Sequence, residues 1–265
     1  MTALGTTGTV SDLTRIAIEI VAPVARIGFL HPPLNVIDIP MMEELARAFS
    51  EIDARNDLSV IVMRGAGKAF SAGVDIAAHS PDKVDEMLTR FHGVIRALVA
   101  TKKVTIAVVH GPCLGGGAEL AMVCDLVYTS DDAEWGFPEI KLGCFPPVAC
   151  TALAALVGQK KAAQLILTGD SLTGREAAEL GLATHFAPEG QLDSAVHACV
   201  GRLLRLSSAA LAVAKKASYA WDSMHFDKGL ARAEKVYFED LRKTEDAHEG
   251  VRAFMEKRPP KWTGK

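Results

Sequence analysis

Short apolar runs alternate with apolar stripes at helical spacing through the first half of the chain. Ile16 to Val21 and Val24 to Leu30 are runs rich in β-branched residues around Ala22-Pro23, which predicts a hairpin. His31-Pro32-Pro33 ends the second strand, because proline has no N–H for the ladder. Met41, Met42, Leu45, Phe49 and Ile52 then recur at helical spacing and form one apolar face. Leu58 to Arg64 predicts a buried strand, followed by Gly65-Ala66-Gly67 and the loop Phe70-Ser71-Ala72-Gly73-Val74-Asp75. An amphipathic helix from Pro81 to about Ala100 and strands at Val104 to Val109 and Leu126 to Ser130 complete this half.

Beyond residue 140 the pattern turns helical. Segments are predicted at Val148 to Val157, Lys160 to Leu167, Gly174 to Leu180, Gln191 to Leu206, Ala209 to Trp221 and Phe226 to Leu241, with a short one at Glu249 to Lys257. The first ten residues are small and polar, which predicts a poorly ordered start. An α/β core over 1–200 and a helical region over 201–265 are therefore expected, with the boundary soft. Apolar stripes on a helical tail commonly dock on another subunit, so a homo-oligomer is expected.

Chemistry concentrates where the strand at Val104 to Val109 runs into the next helix. Residues 113 to 125 read Cys-Leu-Gly-Gly-Gly-Ala-Glu-Leu-Ala-Met-Val-Cys-Asp. Glycines let backbone approach a ligand, and the first N–H groups of the following helix have no intrahelical partner. Such groups suit an oxyanion. Glu119, one turn inside, would repel that anion, so its useful role is to move protons or hold water beside it. A tight turn alone would also call for the same glycines. A second carboxylate, Glu139, lies among apolar neighbours in Gly136-Phe137-Pro138-Glu139-Ile140-Lys141-Leu142-Gly143, where its pKa should rise. Read by itself, Glu139 is equally a surface residue beside Lys141.

Composition narrows the partner. The chain has 265 residues, 49% of them hydrophobic, and a net charge of −3, with no run of basic residues to attract nucleic acid or an anionic membrane. A small molecule is the expected partner. The five cysteines stand singly and the eight histidines lack metal-ligand spacing, so neither disulfides nor zinc is expected, and reduced thiols suggest a cytoplasmic enzyme. No stretch approaches the roughly 20 consecutive apolar residues of a membrane helix.

Four segments together resemble the enoyl-CoA hydratase/isomerase (crotonase) superfamily. They are Phe70-Ser71-Ala72-Gly73-Val74-Asp75-Ile76, Gly115-Gly116-Gly117-Ala118-Glu119-Leu120-Ala121 with Cys124-Asp125, Pro138 to Gly143, and Leu167-Thr168-Gly169. Glu249 to Arg258 is similar to that family's C-terminal motif. The resemblance implies an α/β spiral of strand-strand-helix repeats with a C-terminal helical trimerisation region, assembled as trimers or dimers of trimers. It implies an acyl-CoA thioester substrate, with no cofactor beyond the CoA that the substrate carries.

Residue by residue, the resemblance places the oxyanion hole on the backbone N–H groups of Val74 and Gly116. Glu119 and Glu139 match the two glutamates of family members that add water, which favours a hydratase over an isomerase, hydrolase or decarboxylase. Adenine would lie near Ala72, and Phe254 and Lys257 would reach a CoA bound to the adjacent subunit. Without the resemblance, Phe254 reads as a core anchor of the last helix and Lys257 as a solvated charge. Where many relatives have a CoA-contacting lysine, two residues past Asp75, this chain has Ala77.

After Glu139 the chain departs from straight-chain hydratases. It reads Phe145-Pro146-Pro147-Val148-Ala149-Cys150-Thr151 in place of a glycine-rich segment. Phe145, Pro146 and Val148 are then expected to form a stiff, apolar acyl-pocket wall. This segment, with His79-Ser80-Pro81-Asp82 and the Met87-Leu88 to His92-Gly93 stretch, resembles hydratases that act on cyclohexa-1,5-diene-1-carbonyl-CoA in anaerobic aromatic degradation. A general short-chain hydratase or an isomerase is the alternative. His79 and His92 are candidates for acyl contact, although histidines in such places are more often structural.

Overall fold

The computed structural model describes residues 13–263, and over 219–225 the backbone alone. The reading of the first ten residues lies outside the described part. In chain order the first elements are β1 (Ile16–Val21), β2 (Val24–Phe29), α1 (Ile39–Ala54), β3 (Val60–Gly65), α2 (Val84–Ala100) and β4 (Val104–Val109). Then come β5 (Pro112–Leu114), α3 (Gly116–Met122), β6 (Leu126–Ser130), β7 (Glu134–Gly136), α4 (Pro147–Val157) and α5 (Gln159–Thr168). The remainder is β8 (Ser171–Thr173), α6 (Gly174–Glu179), β9 (His185–Ala187), α7 (Leu192–Leu203), α8 (Ser208–Glu239) and α9 (Glu245–Met255). Short 3-10 turns cover Ile76–His79, Pro138–Leu142 and Leu241–Lys243.

A six-stranded sheet runs in the order β1-β2-β3-β4-β6-β9, parallel except for the β1–β2 hairpin, whose register closes on Val21 and Val24. The period of two splits its side chains between two cores. Ile61 and Met63 of β3 and Ala107 and Val109 of β4 face the larger cluster with α1 and α2, while Val60, Val62, Ile106 and Val108 face a smaller one closed by Leu192, Val196 and Val200 of α7. All six residues of β4 are buried, as expected for a strand covered on both faces. A second sheet, β5-β7-β8, stands apart and carries the glycine turn at its end.

Local chemistry sets the element ends. Asp38 caps α1 by accepting from the Met41 N–H at 2.9 Å, and Thr173 with Glu176 forms a capping box on α6. Thr244 caps α9, so that helix begins at Glu245, ahead of the expected Glu249. The two helices expected at Ala209 to Trp221 and Phe226 to Leu241 are one 32-residue helix, α8. Nothing in Asp222-Ser223-Met224-His225 forces a break, since neither glycine nor proline occurs there. Strands β5, β7, β8 and β9, three residues each, are too short to show a period in the sequence.

Candidate active site

Three chain segments converge on one cavity, and each is held by backbone chemistry. The loop after β3 is tied down at Ser71, whose Oγ donates to Asn35 O at 2.8 Å and accepts from the Gly73 N–H at 3.2 Å. Bridges from Ile37 to Val74 and from Ser71 to Cys113 fix it between its neighbours. The hydrogen bonds on this side of Val74 run from the Ile37 N–H to Gly73 O and from the Asp75 N–H to Ile37 O, so the Val74 N–H faces the other way. Neither it nor the Gly116 N–H is taken up by a hydrogen bond among the described residues. A Cβ on Gly116 would stand 3.4 Å from Val74 N, which shows how closely the two loops adjoin. Because α3 has only seven residues, its two outward N–H groups matter more than its macrodipole.

Glu119 projects from α3 and is only 3% exposed. Its Oε1 accepts the Ala149 N–H at 2.9 Å, in the first turn of α4. Pro146-Pro147 starts α4, and the first N–H groups of a helix have no intrahelical partner, so Glu119 can take one. Burial outweighs those hydrogen bonds and pushes the Glu119 carboxyl up to about 7.

Glu139 sits on the 3-10 turn Pro138–Leu142, which Gly143 closes in the left-handed region. The residue is half-buried, but its Oε2 is enclosed without a hydrogen-bond partner. Burial first, and the nearby Glu119 second, hold its carboxyl well above the ordinary range. The charge that Glu119 carries when ionised therefore favours the protonated form of Glu139. The reading of Glu139 as a surface residue beside Lys141 is thus replaced by an enclosed acid.

The cavity has a volume of about 80 Å³. Val74, Gly116, Glu119 and Glu139 all line it, joined by Ala72, Phe145 and Pro146 of the expected binding residues. Met87, Leu88, Phe91 and His92 of α2 form another wall, and His79 also borders the space. His79 donates from Nδ1 to Asp75 O at 3.1 Å, and burial lowers its pKa. Val148 stands behind the wall, fully buried, and does not border the cavity. Phe254 and Lys257 lie away from it; Phe254 is 51% exposed, so it is not a core anchor.

Two contributions were not legible in the sequence, the seat that Gly115 of the glycine turn makes for Glu139 and the part taken by Tyr237. Gly115 precedes the expected Gly116, and its missing Cβ makes room for the Glu139 carboxyl. Tyr237 reaches the cavity from α8, stacked edge-on against Phe145 at 5.2 Å between centroids, with its hydroxyl beside Cys144. A tyrosine inside a long helix carries no local signal for such a role.

The chain belongs to the enoyl-CoA hydratase/isomerase family, whose model matches residues 19–265. It is 32% identical over 237 residues to a cyclohexa-1,5-dienecarbonyl-CoA hydratase of Thauera aromatica, covering 89% of this chain and 92% of that protein. It is 38% identical over 228 residues to a probable enoyl-CoA hydratase of Rhizobium meliloti, covering 85% of this chain and 88% of that one. The crystal structure of an enoyl-CoA hydratase from Mycobacterium avium subsp. paratuberculosis superposes with a TM-score of 0.86 at 28% identity, over 95% of this chain and 99% of that chain. Among the described residues no single helix is both long and apolar enough to cross a membrane, and no cluster of metal-ligating side chains occurs.

Proposed function

We propose that this chain adds water to the conjugated double bond of an enoyl-CoA thioester. The observation that carries the reading is the pair of enclosed, coupled carboxyls, Glu119 and Glu139, beside two free backbone donors in one cavity. The N–H groups of Val74 and Gly116 polarise the thioester carbonyl and hold the enolate oxygen. Glu119, the lower of the two in pKa, takes a proton from water as its oxygen bonds to the β carbon. The electron pair of the double bond moves into the enolate, and Glu139 then delivers a proton to carbon. A proton passing between the coupled carboxyls restores both. CoA enters with the substrate, and no separate cofactor is required.

The acyl group is a cyclic diene, cyclohexa-1,5-diene-1-carbonyl. Supporting this are the name of the Thauera aromatica relative and the rigid, apolar wall of Phe145, Pro146 and Tyr237 facing α2. Charge would spread through a dienolate anchored at Val74 and Gly116. Ala72 borders the entry where the adenine end of CoA lies. The helical region 201–265 serves assembly into trimers or dimers of trimers, with exposed Phe254 and Met255 on α9 and the Lys257 charge offered to a neighbouring subunit's CoA. The five free thiols fit a reducing, cytoplasmic setting.

Assaying the purified protein side by side with crotonyl-CoA and cyclohexa-1,5-diene-1-carbonyl-CoA tests this reading. Loss of conjugated-thioester absorbance with the cyclic diene, and a product heavier by one water, is the expected result. Faster hydration of crotonyl-CoA would overturn the cyclic acyl group, and inactivity with both would overturn the hydratase.

A further inference from the structure

A second, smaller space of about 20 Å³ adjoins the cavity of Glu119 and Glu139. Pro81, Val84, Leu241 and Val251 border it, with exposed His248 on its rim. Among the described residues only His79 and Tyr237 border both spaces. Tyr237 is 4% exposed and is held on three sides. Its ring meets Phe145 at 5.2 Å and Phe238 at 6.2 Å between centroids, and its hydroxyl stands beside Cys144. Phe145 lines the reacting cavity and Cys144 the smaller space, so the tyrosine spans from one to the other. The smaller ring of His79 completes the partition, tied through Nδ1 to Asp75 O of its own turn.

With the thioester carbonyl at the N–H groups of Val74 and Gly116 and CoA leaving past Ala72, the acyl group runs inward between Glu119 and Glu139. Beyond Glu139 it meets the partition. The Cys144 N–H donates to Glu139 O at 3.1 Å, and the Cys144 side chain stands at the Tyr237 hydroxyl, so the acid and the tyrosine are joined through one residue. A ring packed on three sides cannot swing aside without leaving a void, which makes it a fixed stop.

We propose that Tyr237 is the residue that limits acyl length in this enzyme: its ring closes the reacting cavity against the smaller space, so that compact acyl groups are accepted and longer linear chains are discriminated against. The assignment rests on the reading that an acyl-CoA thioester occupies the cavity, and holds whether the acyl group is linear or cyclic. The selection is steric, through the bulk of the ring and not through its hydroxyl. A methylene that an apolar pocket cannot fit shifts specificity about 10- to 200-fold. Removing the ring joins the two spaces and gives a longer chain somewhere to go.

The test compares crotonyl-CoA with trans-2-octenoyl-CoA in turnover and butyryl-CoA with octanoyl-CoA in binding, each as a ratio within one preparation so that partial unfolding cancels. In the wild type, kcat/KM and affinity should both be at least about tenfold lower for the longer acyl group. Tyr237→Ala and the milder Tyr237→Leu should raise the long-to-short ratio about tenfold or more in both assays, whereas Tyr237→Phe, which keeps the ring, should leave it within about threefold. Adding Val251→Phe to Tyr237→Ala fills the smaller space and should return the ratio toward the wild-type value. Equal handling of both lengths by the wild type, or an unchanged ratio in both Tyr237→Ala and Tyr237→Leu, would overturn the assignment. So would a gain that survives Val251→Phe, or a shift produced by His79→Ala and not by Tyr237→Ala. A wild type that binds these thioesters but hydrates none would overturn the hydratase reading alone, since the binding ratios still read the partition.

Discussion

A Cβ on Gly115 would come within 2.7 Å of Glu139 Oε1, so the carboxyl of Glu139 occupies the space that any other residue at 115 would fill. Gly115 also has φ +51°, in the left-handed region that other residues enter at a cost. The acid on one loop is thus seated by the absence of a side chain on another. Gly115→Ala should displace Glu139 and lower turnover about 100-fold or more, with stability reduced by roughly 1 to 2 kcal/mol. Steady-state kinetics beside a thermal melt checks both effects. A variant with normal turnover would show that Glu139 has room to shift without loss.

Gly116 stands in a different relation, to Val74. A Cβ there would meet Val74 Cγ2 at 2.6 Å and Phe91 Cζ at 3.1 Å, pushing the Val74 N–H out of line with the Gly116 N–H. Gly116→Ala should lower kcat about 100-fold or more, as expected for one lost oxyanion donor. Val74→Ala keeps the N–H and removes Cγ2, so it should cost less than about tenfold by itself and recover part of the loss in the double variant. Purely additive effects would contradict a shared oxyanion site.

The hairpin and the strands β3, β4 and β6 were legible as short apolar runs, and the helices α1 and α2 because each repeats its apolar period several times. The candidate site was legible where chemistry is carried by residue type: Glu119, Glu139 and the glycine loop all fall in one cavity. What stayed hidden depends on distance in space. Pro146-Pro147 reads as a stiff wall, but the structure shows it starting α4 and presenting the Ala149 N–H to Glu119. Tyr237 reaches the cavity from α8, far along the chain from the glycine turn and the Glu139 loop that it joins there.

The pH dependence of kcat/KM follows from the coupled carboxyls. With the Glu119 pKa raised to about 7, the group is protonated below that value and cannot accept from water. Activity should therefore rise as pH increases through about 7, and decline at higher pH as Glu139, held well above the ordinary carboxylate range, loses its proton. A profile that stays flat down to about pH 5 would contradict a raised pKa for Glu119.

The same shift has a consequence for stability. Unfolded Glu119 ionises near 4.5, whereas the folded chain keeps the proton up to about 7. As pH rises through that window only the unfolded state releases the proton, so folding loses stability, by about 3 kcal/mol once pH exceeds 7. Glu119→Gln retains an acceptor for the Ala149 N–H and removes the penalty. It should melt higher than the wild type at about pH 8, with the gap closing toward about pH 4. Equal melting temperatures across that range would contradict the predicted linkage.

The central claim, that Glu119 and Glu139 together add water to an enoyl thioester, is tested most directly by turnover in oxygen-labelled water with the wild type, Glu119→Gln and Glu139→Gln. The account predicts label in the product hydroxyl for the wild type, and a fall in turnover of about 100-fold or more in each variant, with both still folded and still binding a saturated acyl-CoA. Normal turnover in a correctly folded Glu119→Gln variant would contradict it.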